Sequence, residues 1–207
     1  MSVQKVSPNT NVILYYITPK IKKEFENTKL ISLKKWNNHL NDRWKCTDVK
    51  FDLYNVNDDV LWIDLDTNIV KDFRSITKFL RPFESAWIAM CFESISTYKS
   101  NWYRSTSIGQ NIKYFQPFGL NSGVILFNTT RWRQMKKTNA FSNFDIKKYF
   151  LSDQDVFNIY FQTHRDEIKI LPMSYNFRGN AISGNAIPII KHYPGTGCAG
   201  KTPQCGN

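Results

Sequence analysis

No stretch of this sequence approaches the run of about 18 apolar residues that a membrane-spanning helix needs. Nor do its first residues show the basic, apolar and small-residue order of a secretory signal. The reading is a chain with no membrane segment and no targeting address of its own. Cysteine is scarce. Cys46, Cys91, Cys198 and Cys205 form no Cys-x-x-Cys pair, which argues against a zinc cluster. Cys198 and Cys205 could close a small loop in an oxidising compartment. Acidic residues are few, 17 against 28 Lys and Arg, so the net charge is 28 − 17 = +11. That balance suits anionic partners: phosphates, nucleic acid or an acidic membrane face. The basic residues are scattered, however, gathering only at 20–23, 131–137 and 147–148, and no basic tract or aromatic nucleic-acid motif stands out. Nucleic-acid binding is therefore the weakest of the function classes considered. No repeat or low-complexity linker divides the 207 residues, a length that suits one domain with a sizeable core.

What the sequence does contain is organised around residues 59–70, Asp-Val-Leu-Trp-Ile-Asp-Leu-Asp-Thr-Asn-Ile-Val. The apolar run 60–63 has strand length and β-branched character. It is followed by Asp64 and Asp66, one residue apart. Carboxylates are costly inside a sheet unless paired or bound to a metal. The reading is thus a buried central strand that ends as the acids emerge. Ligands gather at the carboxyl ends of strands in open α/β sheets. With Leu65 at the turn, both carboxylates can face one hard cation. Aspartate is also common at strand ends and turns for local reasons, so the triplet alone is weak.

The remaining chain alternates strand and helix. Residues 11–17 form a short β-rich run. Pro19 stands where a first helical turn would start, and Ile21, Phe25, Ile31 and Leu33 give an irregular apolar face reaching Trp36. Residues 37–50 are polar and read as loop, 49–54 as a strand, and Asn57-Asp58-Asp59 as a turn. A short helix over 73–80 stops before Pro82, and a strand over 86–92 ends at Glu93. Residues 93–119 have no period, and a loop that long in a compact domain is often functional. At 118–128 a Gly-containing polar turn feeds a buried strand, with Gly123 letting backbone approach a ligand closely. A helix follows over 129–135 with Thr129 at its N-terminus. Another starts at 152–161, capped by Ser152, with Asp153 and Asp155 in its first turn and Val156, Ile159 and Tyr160 as its apolar face. A strand over 168–171 is closed by Pro172. A last strand over 187–190 runs into Lys191-His192-Tyr193. Residues 195–207 read as an irregular tail. Asn128-Thr129-Thr130 is a glycosylation sequon, which matters only in a secretory lumen.

Two constellations carry chemistry. Asp64, Asp66 and His192 each sit at the end of an apolar strand. Two carboxylates and an imidazole suit Mn²⁺ or a similar divalent ion with open positions for diphosphate oxygens. Such an ion neutralises the charge that develops on a departing diphosphate. Asn121, Ser122, Asp153 and Gln154 offer carboxamide, hydroxyl and carboxylate groups, a mix that suits sugar hydroxyls. Each has a bland alternative: a surface histidine, a turn residue, a helix start. All of them in this order is a much rarer coincidence.

In that order the sequence resembles glycosyltransferase family 8. The resemblance rests on Val60-Leu61-Trp62-Ile63-Asp64-Leu65-Asp66, Leu120-Asn121-Ser122-Gly123-Val124, Ser152-Asp153-Gln154-Asp155-Val156-Phe157-Asn158, Leu171-Pro172-Met173-Ser174-Tyr175-Asn176 and Ile190-Lys191-His192. Within the family it looks most like the animal glucoside and xyloside xylosyltransferase branch, through Asn101-Trp102-Tyr103, Asn128-Thr129-Thr130-Arg131 and Tyr175-Asn176-Phe177-Arg178. The resemblance spans roughly residues 11–195. It implies an α/β, GT-A fold: a Rossmann-like mixed central sheet flanked by helices, in a single domain over 1–207. It implies retaining transfer of a sugar, xylose or glucose, from a UDP-sugar to a glycan or glycoprotein hydroxyl in the Golgi or endoplasmic reticulum lumen. Asp64, Asp66 and His192 match the family's ligands for Mn²⁺, with Asp66 also near the ribose and diphosphate. Asn121, Ser122 and Gly123 match the loop lining the sugar pocket. Asp153 and Gln154 match the pair near the anomeric centre and are the implied catalytic residues.

This sequence departs from the family pattern in four places. The usual earlier first strand of the uracil pocket is missing, so the chain reads as shortened at its N-terminus. Residues 37–57 read as too short for the helix with basic residues that usually precedes the acidic strand. Leu65 stands where a small or hydroxyl residue is usual. After His192, Tyr193-Pro194-Gly195-Thr196-Gly197 replaces the usual Gly-x-x-Lys-Pro-Trp-like phosphate clasp, with Lys201 as a poorly spaced substitute. These departures favour one rival reading, a catalytically inactive UDP-sugar-fold module that acts through partner binding.

Overall fold

The computed structural model describes residues 48–64, 66–80, 85–93, 115, 118–145, 149, 153–179 and 184–194, and the backbone of two strands at 12–16 and 28–32. In chain order the strands are β1 (Val12–Tyr16), β2 (Thr28–Ser32), β3 (Val60–Ile63), β4 (Thr67–Ile69), β5 (Ile88–Phe92), β6 (Leu120–Phe127), β7 (Ile168–Ile170) and β8 (Ile190–His192). Helices α1 (Thr129–Gln134) and α2 (Asp153–Thr163) lie between β6 and β7. Short 3-10 helices occupy Asp48–Asn55, Arg74–Phe79, Arg165–Glu167 and Met173–Asn176.

The main sheet has the order β3-β6-β5-β7. β6 runs antiparallel to both neighbours, while β5 and β7 are parallel. This is the mixed sheet expected from sequence, with one change of place. The acidic strand β3 stands at the edge of this sheet and is only half buried, whereas β6 is buried along all eight residues. Leu-Asn-Ser-Gly-Val-Ile-Leu-Phe keeps its polar residues at one end, so its apolar half can be covered on both faces.

Period-2 alternation divides the core between those faces. Ile125 and Phe127 of β6, with Ile88 and Met90 of β5, join the helices: Trp132 of α1 and Val156, Phe157, Tyr160 and Phe161 of α2. Val124 and Leu126, with Ala89 and Cys91, join Ile69, Ile76, Leu80, Leu171, Tyr175 and Ile190 on the other side. The first cluster is dense in rings. Trp132 stacks on Trp87 at 4.7 Å and on Phe127 at 5.6 Å.

Several local readings change. Residues 49–54 are a 3-10 helix and not a strand, because Lys50 and Leu53, three apart, both turn inward. Residues 28–32, read as part of an irregular helical face, form β2, parallel to β1. The last strand lies three residues later than expected, since Ile187 is 66% exposed and the pairing partners of β4 are Ile190, Lys191 and His192. The 73–80 helix is 3-10. Helix α1 is capped by Asn128, whose carboxamide oxygen accepts the Arg131 N–H at 2.8 Å. Thr129 instead sends its hydroxyl to the carbonyls of Val56 and Asp58. The sequon is thus used internally, its asparagine as a cap and its Thr129 fully buried. Ser152, the expected cap of α2, lies outside the described residues. So do Leu65, most of 93–119, Lys201 and the tail, the basic clusters at 20–23 and 147–148, and Cys46, Cys198 and Cys205. Cys91 is a free, buried thiol.

The basic stretch 131–137 is largely structural. Arg131 Nη1 donates to the carbonyls of Leu80 and Ala86, Arg133 Nη1 to those of Tyr54 and Val56, and Lys137 pairs with Glu167 at 2.8 Å. No helix among the described residues is long and apolar enough to cross a membrane.

Truncating Trp132 to alanine removes a ring held between two others in a fully buried site. The expected loss of stability is about 3–5 kcal/mol, read as a lower urea midpoint. A midpoint within experimental error of the wild type would contradict this packing.

Candidate active site

The site forms where the main sheet meets the short β4-β8 pair. β3 ends at Ile63, and the Asp64 N–H continues the ladder to the Gly123 carbonyl at 2.8 Å. Thr67 Oγ1 donates to the Asp64 carbonyl at 2.7 Å, tightening the turn. β4 then starts at Thr67, directly opposite His192 of β8. The Tyr193 N–H adds a bond to the Asp66 carbonyl at 2.9 Å. This short antiparallel pair carries His192 to the acidic turn, placing Nε2 3.2 Å from Asp66 Oδ1. One ligand atom each from Asp64, Asp66 and His192 lies within 4.8 Å of the others. Two carboxylate oxygens and an imidazole nitrogen at that spacing fit a divalent ion as expected from sequence.

Gly123 has a definite part in this. A Cβ there would lie 2.1 Å from His192 Cε1 and 2.6 Å from Nδ1. The close approach that requires glycine is that of the imidazole and not of a ligand. The β5–β6 register breaks at the same place: Met90 pairs with Ile125 but Cys91 with Asn121. Residues 122–124 are thereby released from β5 while still meeting the end of β3.

A second cluster centres on Lys50, from the 3-10 helix at Asp48–Asn55. Its side chain is 1% exposed. Nζ lies 2.7 Å from Asp153 Oδ2, donates to the Ser122 carbonyl at 2.9 Å, and lies 3.2 Å from Asp64 Oδ1. It also sits 5.1 Å above the Trp62 ring, whose Nε1 donates to the same Asp64 oxygen at 2.6 Å. Burial disfavours the ammonium, but the charges of Asp153 and Asp64 outweigh it, and the Lys50 pKa is raised. Burial also pushes the Asp153 carboxyl up against the pull of Lys50, with Asp64 adding to the rise and the Ser122 hydroxyl opposing it. Residues 37–57 read as too short for a helix with basic residues before the acidic strand, yet a 3-10 helix stands at Asp48–Asn55 and supplies Lys50.

A carboxamide cluster joins the two. Asn121 Nδ2 donates to Glu93 Oε2 at 2.6 Å and to Gln154 Oε1 at 3.2 Å. Gln154 Oε1 also accepts the Ser122 N–H, and its Nε2 donates to Glu93 Oε2, both at 3.2 Å. Asn176 Nδ2 donates to Asn121 Oδ1 at 2.7 Å. Arg178 pairs with Glu93. Burial lowers the Arg178 pKa, and the Asp66 charge works against that. Asn158 of α2 bonds both backbone groups of Leu120, locking the helix to the start of β6.

All eight residues singled out from sequence come together: Asp64, Asp66, His192, Asn121, Ser122, Gly123, Asp153 and Gln154. Five more belong beside them. Glu93 and Asn176 had a signal, as polar residues ending a buried strand and a short motif. Trp62 and Arg178 stood inside the quoted motifs without a role of their own, and Lys50 had no signal, because nothing local marks a charge whose partners, Ser122 and Asp153, lie far away in the chain.

A mixed sheet that presents an acid-x-acid turn to a histidine, with polar groups converging from a neighbouring strand and helix start, defines a GT-A glycosyltransferase domain. Solved structures agree on that fold. The galactosyltransferase LgtC, in complex with donor and acceptor sugar analogues, superimposes with a TM-score of 0.61 over 94% of this chain and 80% of its own, at 16% identity. The bifunctional glycosyltransferase WbbM gives 0.58 over 82% of this chain and 36% of its own. The chain belongs to glycosyl transferase family 8, whose model matches residues 2–196. Among curated proteins, glucoside xylosyltransferase 1 of Gallus gallus is 29% identical over 135 residues, 58% of this chain and 30% of that protein. The Homo sapiens protein of the same name is 27% identical over the same shares. The match therefore spans under a third of the length of these relatives.

Replacing Lys50 with methionine leaves Asp153 buried without its counter-ion. Removing one partner of a buried pair costs about 3–5 kcal/mol, expected here in urea denaturation at neutral pH. A carboxyl whose pKa is raised by folding contributes stability below its unfolded pKa and loses it as pH rises through its folded pKa. The Lys50→Met deficit should therefore shrink as pH falls and Asp153 takes up a proton. A deficit independent of pH would contradict the pairing.

Proposed function

We propose that this domain transfers a sugar from a UDP-sugar to a glycan or glycoprotein hydroxyl, with retention at the anomeric carbon. The observation that carries the reading is the convergence of the Asp64–Asp66–His192 triad and the Asn121–Ser122–Asp153–Gln154 cluster on one end of one sheet. In this reading Asp64, Asp66 and His192 hold Mn²⁺. The ion supplies charge neutralisation to the diphosphate as it leaves. Asp66 also lies near the ribose and diphosphate. Asn121, Ser122 and Gly123 line the donor-sugar pocket, and their carboxamide, hydroxyl and backbone groups match the alternating donors and acceptors of a sugar ring.

Asp153 and Gln154 act nearest the anomeric carbon. Lys50 holds Asp153 by a charged contact, and the Ser122 N–H holds the oxygen of Gln154, so both groups are oriented before substrate arrives. Positive charge growing at the anomeric carbon meets a carboxylate and a carboxamide oxygen there. Xylose or glucose is the proposed donor sugar. Residues 1–207 form one transferase domain in this reading, and the Golgi or endoplasmic reticulum lumen is its proposed compartment. One feature favours the inactive partner-binding module: Asp64 Oδ1 is shared with Lys50 Nζ and Trp62 Nε1, so an incoming ion competes with an ammonium already in place.

Calorimetric titration of UDP, UDP-xylose and UDP-glucose, with and without Mn²⁺, separates the two. The transferase reading expects metal-dependent UDP binding that is lost in Asp64→Ala, and metal-dependent turnover that is lost in Asp66→Asn. A cooperatively melting protein with no UDP binding under either condition would place the inactive module ahead. Gly123→Ala offers a finer check. Its methyl must displace the His192 ring, and Mn²⁺ affinity should drop at least about 10-fold, in line with other changes that misorient a metal ligand. Wild-type affinity in that variant would remove His192 from the ligand set.

A further inference from the structure

The direction of every hydrogen bond between Glu93 and His192 follows from two groups that have no choice. The Gly123 backbone N–H can only donate, and it meets Asn121 Oδ1 at 3.0 Å. That fixes the oxygen end of the Asn121 carboxamide, leaving its nitrogen turned to Glu93 Oε2 at 2.6 Å. The Glu93 carboxylate can only accept, which agrees. The atom that Asn121 presents to Asn176 is therefore an oxygen, and Asn176 answers with its nitrogen at 2.7 Å. Asn176 Oδ1 is left facing His192 Nδ1 at 2.9 Å. An amide oxygen accepts, so the ring nitrogen beside it carries the hydrogen. Asn176 is fully buried, so solvent offers no partner to a flipped amide.

With the proton on Nδ1, Nε2 of a neutral ring presents a lone pair, 3.2 Å from Asp66 Oδ1. Two acceptors at that distance repel each other unless a proton or a metal cation lies between them. We propose that Asn176 is a positioning residue: held by Asn121, it fixes His192 in the Nδ1–H tautomer and aims the Nε2 lone pair at a divalent ion on the Asp64–Asp66 turn. The inference rests on the metal reading above. It assigns to the 171–176 motif a part that is neither packing nor contact with a sugar.

The test reads the His192 ring nitrogens by ¹⁵N NMR in metal-free protein, at mildly alkaline pH where an ordinary imidazole is neutral, and then Mn²⁺ affinity by calorimetry. Wild type should show the hydrogen on Nδ1. Asn176→Leu, similar in volume but unable to accept, should shift the ring toward Nε2–H and weaken Mn²⁺ binding about 10–100-fold. Asn176→Asp gives up its donor to Asn121 Oδ1 but keeps an oxygen for Nδ1–H, and should keep the tautomer. A wild-type ring with its hydrogen on Nε2 overturns the proposal. So does a cooperatively folded Asn176→Leu with unchanged tautomer and Mn²⁺ affinity. If Asn176→Leu does not fold, the wild-type spectrum and Asn176→Asp still decide. Because the spectrum is recorded without metal, it judges the tautomer even in a protein that binds no Mn²⁺. Failure of the metal reading is thereby told apart from failure of this one.

Discussion

Four parts of the chain meet on one buried ammonium. Lys50 comes from the 3-10 helix at Asp48–Asn55 and touches Asp64 past the end of β3, Ser122 in β6 and Asp153 at the start of α2. A charge in that position is tolerated only if anions and carbonyls replace the water it has lost. The replacement fixes how those elements sit against each other. A buried ion pair is weak evidence for net stability, since desolvation offsets most of the attraction. Its consequence here is geometric. It sets the carboxylate that opens α2 beside the acidic turn at the end of β3, and so joins the two halves of the site.

The sheet provides the second constraint. Apolar residues at the far end of β6 alternate between two cores, which holds the strand rigidly. At the near end the same strand carries Asn121, Ser122 and Gly123, where pairing with β5 breaks. A rigid strand whose Ser122 and Gly123 are released from β5 is a suitable base for a site, since its groups move with the core behind them and meet side chains of other elements. The carboxamides of Asn121, Gln154 and Asn176 then link Glu93 to His192 through successive hydrogen bonds.

Part of the net positive charge is used inside the fold. Much of the basic stretch at 131–137 is spent on backbone carbonyls of Tyr54, Val56, Leu80 and Ala86, and on Glu167. Arginine offers several donors in a fixed fork, so one side chain can bond two backbone carbonyls at once. Such residues add to a formal charge of +11 without forming an exposed basic face.

Strand β6, helix α2 and the turn at Asp64–Asp66 were legible from sequence because their signals are local: a buried apolar run, acids in a first helical turn, and paired carboxylates after a β-branched stretch. The ordered motifs were legible for the same reason and pointed to the family. What lacked a local signal was missed or misplaced. Residues 49–54 alternate well enough for a strand, yet Lys50 and Leu53 turn inward together as a 3-10 helix. Gly123 looked like room for a ligand and proved to be room for His192. The sequence by itself determined which residues carry acid, imidazole and carboxamide groups, and in what order, because side-chain chemistry and short-range periodicity are written residue by residue. Only the tertiary structure decided which of them meet. The contacts of Lys50 with Asp153, of Asp66 with His192 and of Asn121 with Asn176 each join residues far apart in the chain, and the cost of burying their polar groups is met only once the whole sheet has formed.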